Sequence, residues 1–139
     1  IELIELTVET TSEEKLKDMM DYVEKVEVAK ILALKLLNRD EKYTYELLLK
    51  ILNHLEKEEI KNYAKKLSKE HTINLSKKWI QQRVNRSHVH YNDAIIILTM
   101  LKQLMEENEF KNYYYYFARK NQGKKKLINK KRFLDPEIV

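Results

Sequence analysis

The sequence predicts an all-α fold, a single-domain orthogonal bundle of about six helices with a short strand or arm at residues 1–8. Two observations carry this prediction. The 139 residues include one glycine, Gly123, and one proline, Pro136, too few for the tight turns of an all-β chain. Leu, Lys, Glu and Ile are abundant, and most of these are good helix formers. The apolar share of 43% suffices for one core, and a chain of this length most often makes one domain. The expected division is an N-terminal arm or strand at 1–8, a helical domain at 9–119 and a basic tail at 120–139.

Residues 1–8 (IELIELTV) alternate apolar and acidic side chains, a strand pattern that suits a sheet edge or an arm against a partner. Thr11 and Glu14 have capping-box spacing and open a helix. Leu16, Met19, Met20, Val23, Val26, Ala29, Ile31, Leu32, Leu34, Leu36 and Leu37 then keep a helical period up to Asn38. The apolar face shifts near Glu27, which allows two helices in place of one. Residues 45–55 form the next unit, with Leu47, Leu48, Ile51, Leu52 and Leu55 apolar. Ile60, Tyr63, Ala64 and Leu67 mark a shorter, more charged helix. Ser76 is the expected cap of the following one, with Trp79, Ile80 and Val84 inward. Asn92 or Asp93 caps a further helix that runs to about Glu107. The last covers Phe110 to about Arg119, and beyond it GKKKLINKKRFLDPEIV reads as a loosely held tail.

Composition excludes several chemistries. The chain has no cysteine, so disulfides, thiolate zinc sites and cysteine-ligated iron–sulfur clusters are ruled out. A single glycine cannot build a P-loop or a dinucleotide fingerprint, and no serine sits in a GxSxG elbow. The paired carboxylates (Glu13/Glu14, Glu58/Glu59, Glu106/Glu107) fall on polar helix faces, where solvation is their ordinary role. The expectation is a protein that is no enzyme and has no catalytic residue and no metal or resident cofactor. The longest apolar run, 94–98, is five residues, against the roughly 18 of a membrane span. A cysteine-free chain suits a reducing compartment, and a cytoplasmic, nucleoid-associated location without membrane contact is expected.

The net charge of +5 is unevenly spread. Residues 1–70 hold 13 Lys/Arg against 16 Asp/Glu, and residues 71–139 hold 14 against 6, a swing from −3 to +8. A field of one sign over half a chain steers anionic partners, which favours nucleic acid or a nucleotide. Two groups of residues are candidates. Arg83, Arg86, His88 and His90 form a basic turn ahead of the apolar helix. His88 and His90 are two apart, which is not the i, i+4 zinc spacing. In an extended turn they would share a side. A metal site lacking a third ligand, a surface turn without a role and a phosphate contact all remain open for them. Arg forks, protonated His and a helix N-terminus suit phosphate oxygens. His54 and His71 have no such company and read as structural.

The second group follows from the tyrosine run 113–116. Phe110, Tyr113, Tyr114 and Phe117 make an i, i+3, i+4, i+7 core stripe. Tyr115 and Tyr116 then point outward beside Arg119 and Lys120, where they could stack bases or cover a subunit contact. Lys124, Lys125 and Lys126 belong to a stretch, 117–132, with eight basic residues and no acid. Such a stretch is either a solvated tail or a sequence-independent phosphate clamp.

Residues 77–117 resemble the helical C-terminal domain of the large subunit of archaeal–eukaryotic primases. Lys77-Lys78-Trp79-Ile80 takes the place of that family's Pro-Pro-Cys-Ile start, and Ser87-His88-Val89-His90 falls at its His/Arg turn. Residues 94–105 fall at its apolar helix, and 106–117 at its acidic loop and aromatic helix. The chain departs from the family in lacking the four cluster cysteines, with Trp79 at the first of them and Ala94 where an arginine is expected. In this it is most similar to the cluster-free primase subunits of the PriX kind, which join the catalytic small subunit and the large subunit in a heterotrimer. The resemblance covers about 40 of the 139 residues. It implies a non-catalytic primase subunit in DNA replication that binds the initiating nucleoside triphosphate and the DNA template and RNA primer. The triphosphate contacts would fall on His88 and His90, with Arg83 and Arg86 as neighbours. Two other readings of the residues stay open. One is a small subunit of an RNA-guided interference complex that lines single-stranded nucleic acid, and the other is a protein-interaction module.

Overall fold

The computed structural model of the chain describes residues 25–127. The expected arm at 1–8, the cap at Thr11, the first part of the long helical stretch and residues 128–139 of the tail lie outside the described residues. Within them the protein is all-α, as the sequence predicts. The helices are α1 (Val26–Leu36), α2 (Glu41–Lys50), α3 (Lys57–Ala64), α4 (Lys69–Arg86), α5 (Tyr91–Leu104) and α6 (Glu107–Lys120), with 3₁₀ turns at Leu52–His54 and His88–His90.

Local chemistry sets most of the boundaries. Asp40 caps α2 by accepting from the Lys42 N–H at 2.9 Å. Glu59 reaches back to the Glu56 N–H at 3.0 Å and starts α3. Ser68 caps α4 by accepting from the His71 N–H at 3.2 Å. The expected cap at Ser76 is therefore a misplacement: Ser76 is buried in the middle of α4, and the helix begins a full two turns earlier. A serine is a cap only where the chain turns, and the turn is at 65–68. In the same way α5 starts at Tyr91, so Asn92 and Asp93 lie in its first turn rather than capping it.

The α1–α2 hairpin closes through Ala29, Leu32, Ala33 and Leu36 on one side and Thr44, Leu47 and Leu48 on the other. Thr44 Oγ1 donates to the Ala33 carbonyl at 2.7 Å, an approach the small Ala33 side chain permits. α4 is the central element and packs against α2, α3 and α5, most extensively against α5. Its wide inward stripe (Leu75, Trp79, Ile80, Val84) meets Ala94, Ile97, Leu98 and Leu101 of α5. α6 seals the far side with Phe110, Tyr114 and Phe117, and Phe110 and Tyr114 stack at 5.8 Å between centroids. Burying side chains of this size supplies roughly 1.5–3 kcal/mol each. Tyr113, expected in the core stripe, is half-buried at its edge.

Two contacts tie the elements together at their ends. Glu41 accepts from the Ser68 N–H at 2.8 Å and pairs with His71, whose ring stacks on Tyr45 at 4.5 Å. Burial opposes ionisation of Glu41, but the hydrogen bonds from Ser68 and His71 outweigh it and hold the carboxyl below its ordinary value. The start of the expected loose tail is also held. Asn121 and Leu127 are both buried, so 121–127 turns back onto the body. No helix among the described residues is long and apolar enough to cross a membrane.

Candidate nucleic-acid interface

The last two turns of α4 end at the basic turn that the sequence singles out, and its four candidate side chains separate there. Arg83 is 3% exposed. Its guanidinium donates to the Asn53 carbonyl at 3.2 Å and to the Leu55 carbonyl, and lies 5.0 Å from the Trp79 ring. Burial, then the neighbouring Arg86 charge, pushes it below its ordinary value. The Leu52–His54 turn leaves carbonyls without backbone donors, and Arg83 and Trp79 Nε1 (2.8 Å to the Leu55 carbonyl) satisfy them. Arg83 is therefore an internal brace rather than an open phosphate contact. Arg86 is exposed and donates to Asn53 at 3.2 Å and 3.5 Å.

His88 and His90 lie in a 3₁₀ turn that runs straight into α5, not in an extended segment. Two residues apart in such a turn point about 120° apart, so the pair does not share a side. His88 is exposed, with its ring edge-on to Tyr91 at 6.5 Å, and His90 is half-exposed. Asp93 in the first turn of α5 pairs with Lys57 at 3.5 Å. No group of three or more His, Cys, Asp or Glu side chains suited to a metal converges among the described residues.

A different part of α4 carries open cations. A groove of about 630 Å³ runs between α4 and α6, lined among others by Lys77, Lys78, Gln81, Asn112, Tyr116 and Lys120. Met105 and Phe117 form its apolar floor, and Glu109 is the one acid in its lining. Lys77 Nζ sits 4.8 Å from the Tyr113 ring centroid and Lys120 Nζ 5.8 Å from that of Tyr116. Lys78 has no ion-pair partner among the described residues. Ring contacts hold an ammonium by the ring's negative face and leave its charge in place. Burial pushes the Tyr113 phenol far up, so that it stays neutral. Tyr115 and Tyr116 are 49% and 61% exposed, on the outer side of α6 as the sequence predicts.

Gln81 of the groove lining belongs to a network of amides. Asn121, 1% exposed, and Gln81 exchange two hydrogen bonds at 2.9 and 3.0 Å, and Gln81 also donates to Asn85 at 2.9 Å. Lys124 Nζ donates to Asn121 Oδ1 at 2.7 Å and to Asn85 Oδ1 at 3.1 Å. Both acceptors are neutral, so Lys124 is fixed in position and keeps its charge. Lys125 and Lys126 are exposed beside it, Leu127 is buried, and Arg119 is exposed near the end of α6. The sequence reading missed Lys77, Lys78, Gln81 and Asn112. The signal available was the polar line Lys77, Gln81, Asn85 at i, i+4, i+8 on a helix otherwise turned inward.

These features define a small helical protein with a basic groove edged by the exposed Tyr116. No protein-family model, curated protein or solved structure matches the chain.

Proposed function

We propose that this protein is a non-catalytic subunit that binds single-stranded nucleic acid in the α4/α6 groove, and that it serves a primase. The observation that carries the reading is the groove itself: Lys77, Lys78 and Lys120 line it with no carboxylate partner among the described residues, beside exposed Tyr116, and Lys124 is held nearby through Asn121, the partner of Gln81 in the lining. Phosphates lie along such lysines without regard to sequence, and a base stacks on the tyrosine. The primase part rests on the resemblance of 77–117, the span that supplies most of the groove. Polymerisation then belongs to the catalytic small subunit, with the large subunit as the other partner. His88, His90 and Arg86 remain the contacts for the initiating triphosphate, without Arg83.

Fluorescence anisotropy with short RNA and DNA single strands, each with and without a 5′ triphosphate, tests this across a salt series. Three phosphate contacts predict that the Lys77→Glu/Lys78→Glu/Lys120→Glu variant loses about two units of log–log salt slope. Unchanged binding by that variant overturns the groove. Preference for the triphosphate that His88→Ala and Arg86→Ala abolish, together with co-purification with the two other primase subunits, supports the primase role. Affinity that grows with strand length and ignores the triphosphate overturns that role in favour of an RNA-guided interference subunit.

A further inference from the structure

The α4/α6 groove holds one residue that works against phosphate binding. Glu109 lies in its lining with Lys77, Lys78 and Lys120 and forms no ion pair among the described residues. An acid at that place opposes the phosphates that the lysines attract. The start of α6 has negative charge without it, since Glu107 stands in the first turn and Glu106 just before it. Asn112, also in the lining, is exposed and makes no hydrogen bond among the described residues.

Both residues stand beside the exposed ring of Tyr116. At about 100° per residue, Glu109, Asn112, Tyr116 and Lys120 fall within about 80° of one another around α6. Helix neighbours three and four apart lie about 5–6 Å from Cβ to Cβ, and side chains lean toward the helix N-terminus. Tyr116 thus leans toward Asn112, and Asn112 toward Glu109. A base stacked on Tyr116 is bordered on that side by an amide and a carboxylate. The carboxylate accepts only, whereas the amide also donates. Together they match a base edge with two adjacent donors next to an acceptor. Guanine alone has this edge, with N1–H and N2–H for the carboxylate and O6 for the amide N–H. Adenine and cytosine put a ring-nitrogen lone pair against the carboxylate, and uracil and thymine flank a single N–H with two carbonyls.

We propose that the α4/α6 groove selects a guanine at one position of the bound strand, with Tyr116 as the stacking platform, Glu109 as the acceptor for N1–H and N2–H, and Asn112 as the donor to O6. This base choice rests on the single-strand binding proposed above. Anisotropy at fixed salt tests it with short uracil strands that carry one central guanine, hypoxanthine or no replacement. The guanine strand binds about ten-fold tighter than the hypoxanthine strand, which lacks only the N2 amine. Glu109→Gln weakens the guanine strand about ten-fold and tightens the all-uracil strand, because the acid is gone. Asn112→Leu weakens the guanine and hypoxanthine strands together, since both keep O6. Equal binding of guanine and hypoxanthine strands by the parent overturns the base choice and leaves the groove standing. Tightening of every strand alike by Glu109→Gln overturns it too, as that is the behaviour of a charge without a base contact. Guanosine monophosphate that binds as tightly as the guanine strand assigns the contacts to a free nucleotide and overturns the strand form. Absence of binding to every strand overturns the groove and the base choice together.

Discussion

α4 presents cations on two faces, and they differ in what the neighbouring backbone leaves undone. At about 100° per residue, Lys77, Lys78, Gln81 and Asn85 share one side, while Trp79, Arg83 and Arg86 lie on the other. The arginine side meets the Leu52–His54 turn, where carbonyls of Asn53 and Leu55 need donors, and Arg83 is drawn in to supply them. The lysine side meets α6, whose rings and amides hold an ammonium without neutralising it. Cation density along a sequence is therefore no measure of free cations. A guanidinium beside unsatisfied carbonyls becomes part of the core, whereas an ammonium beside a ring remains open to a phosphate.

Variants on the two faces separate these roles. The largest effect is expected from Arg83→Ala, which removes one donor each from the Asn53 and Leu55 carbonyls, together with a ring contact and the packing of a buried side chain. It lowers stability by about 3 kcal/mol in urea unfolding and leaves affinity per folded molecule unchanged. A phosphate role for Arg83 would show the opposite pattern. Next comes the triple lysine-to-glutamate variant of the groove, with about a hundred-fold loss of single-strand affinity at low salt and stability within about 1 kcal/mol of the parent. Asn121→Leu sharpens the boundary between the faces. It removes a buried amide from the Gln81–Lys124 network, costs about 1–3 kcal/mol of stability, and lowers affinity only to the extent that Lys124 is released.

Tyr116→Ala follows, with about 1–3 kcal/mol of binding lost on each single strand if one base stacks there, and no change in salt slope. Anisotropy at fixed ionic strength reads this directly. The smallest effect concerns Glu41, the contrasting case of a charge matched by a partner. Its folded value lies below the ordinary 4.5, so its stabilisation is present above that pH and is lost as pH falls through the lower folded value. Glu41→Gln is less stable than the parent at neutral pH, and the two thermal midpoints converge in acid.

How much of this could be read from residues alone varies along the chain. The all-α class, the inward stripe of α6 and the outward Tyr115 and Tyr116 were legible, because a helical period is a local property of neighbouring side chains. Ser76 misled, because a serine before a Trp-Ile pair has the look of a cap, and only the close packing of α4 shows it buried. The tail misled in part, since Asn121 and Leu127 sit in a run dominated by lysine. The Arg83–His90 cluster was legible as basic but not as divided. Nothing local to 83–90 shows that Asn53 and Leu55, about 30 residues earlier, lie against it. The α4/α6 groove went unread for the same reason, as it joins Lys77 to Tyr113 and Gln81 to Asn121 across 36 and 40 residues.

Helix content, the excluded thiolate and P-loop chemistries and the basic second half follow from composition and period, which depend on residue type and near-neighbour spacing. The availability of each cation, the buried hydroxyl at Ser76 and the pairing of α4 with α6 depend on contacts between residues far apart in the chain. Those contacts arise when packing brings specific donors to specific carbonyls, and no window along the sequence contains both partners.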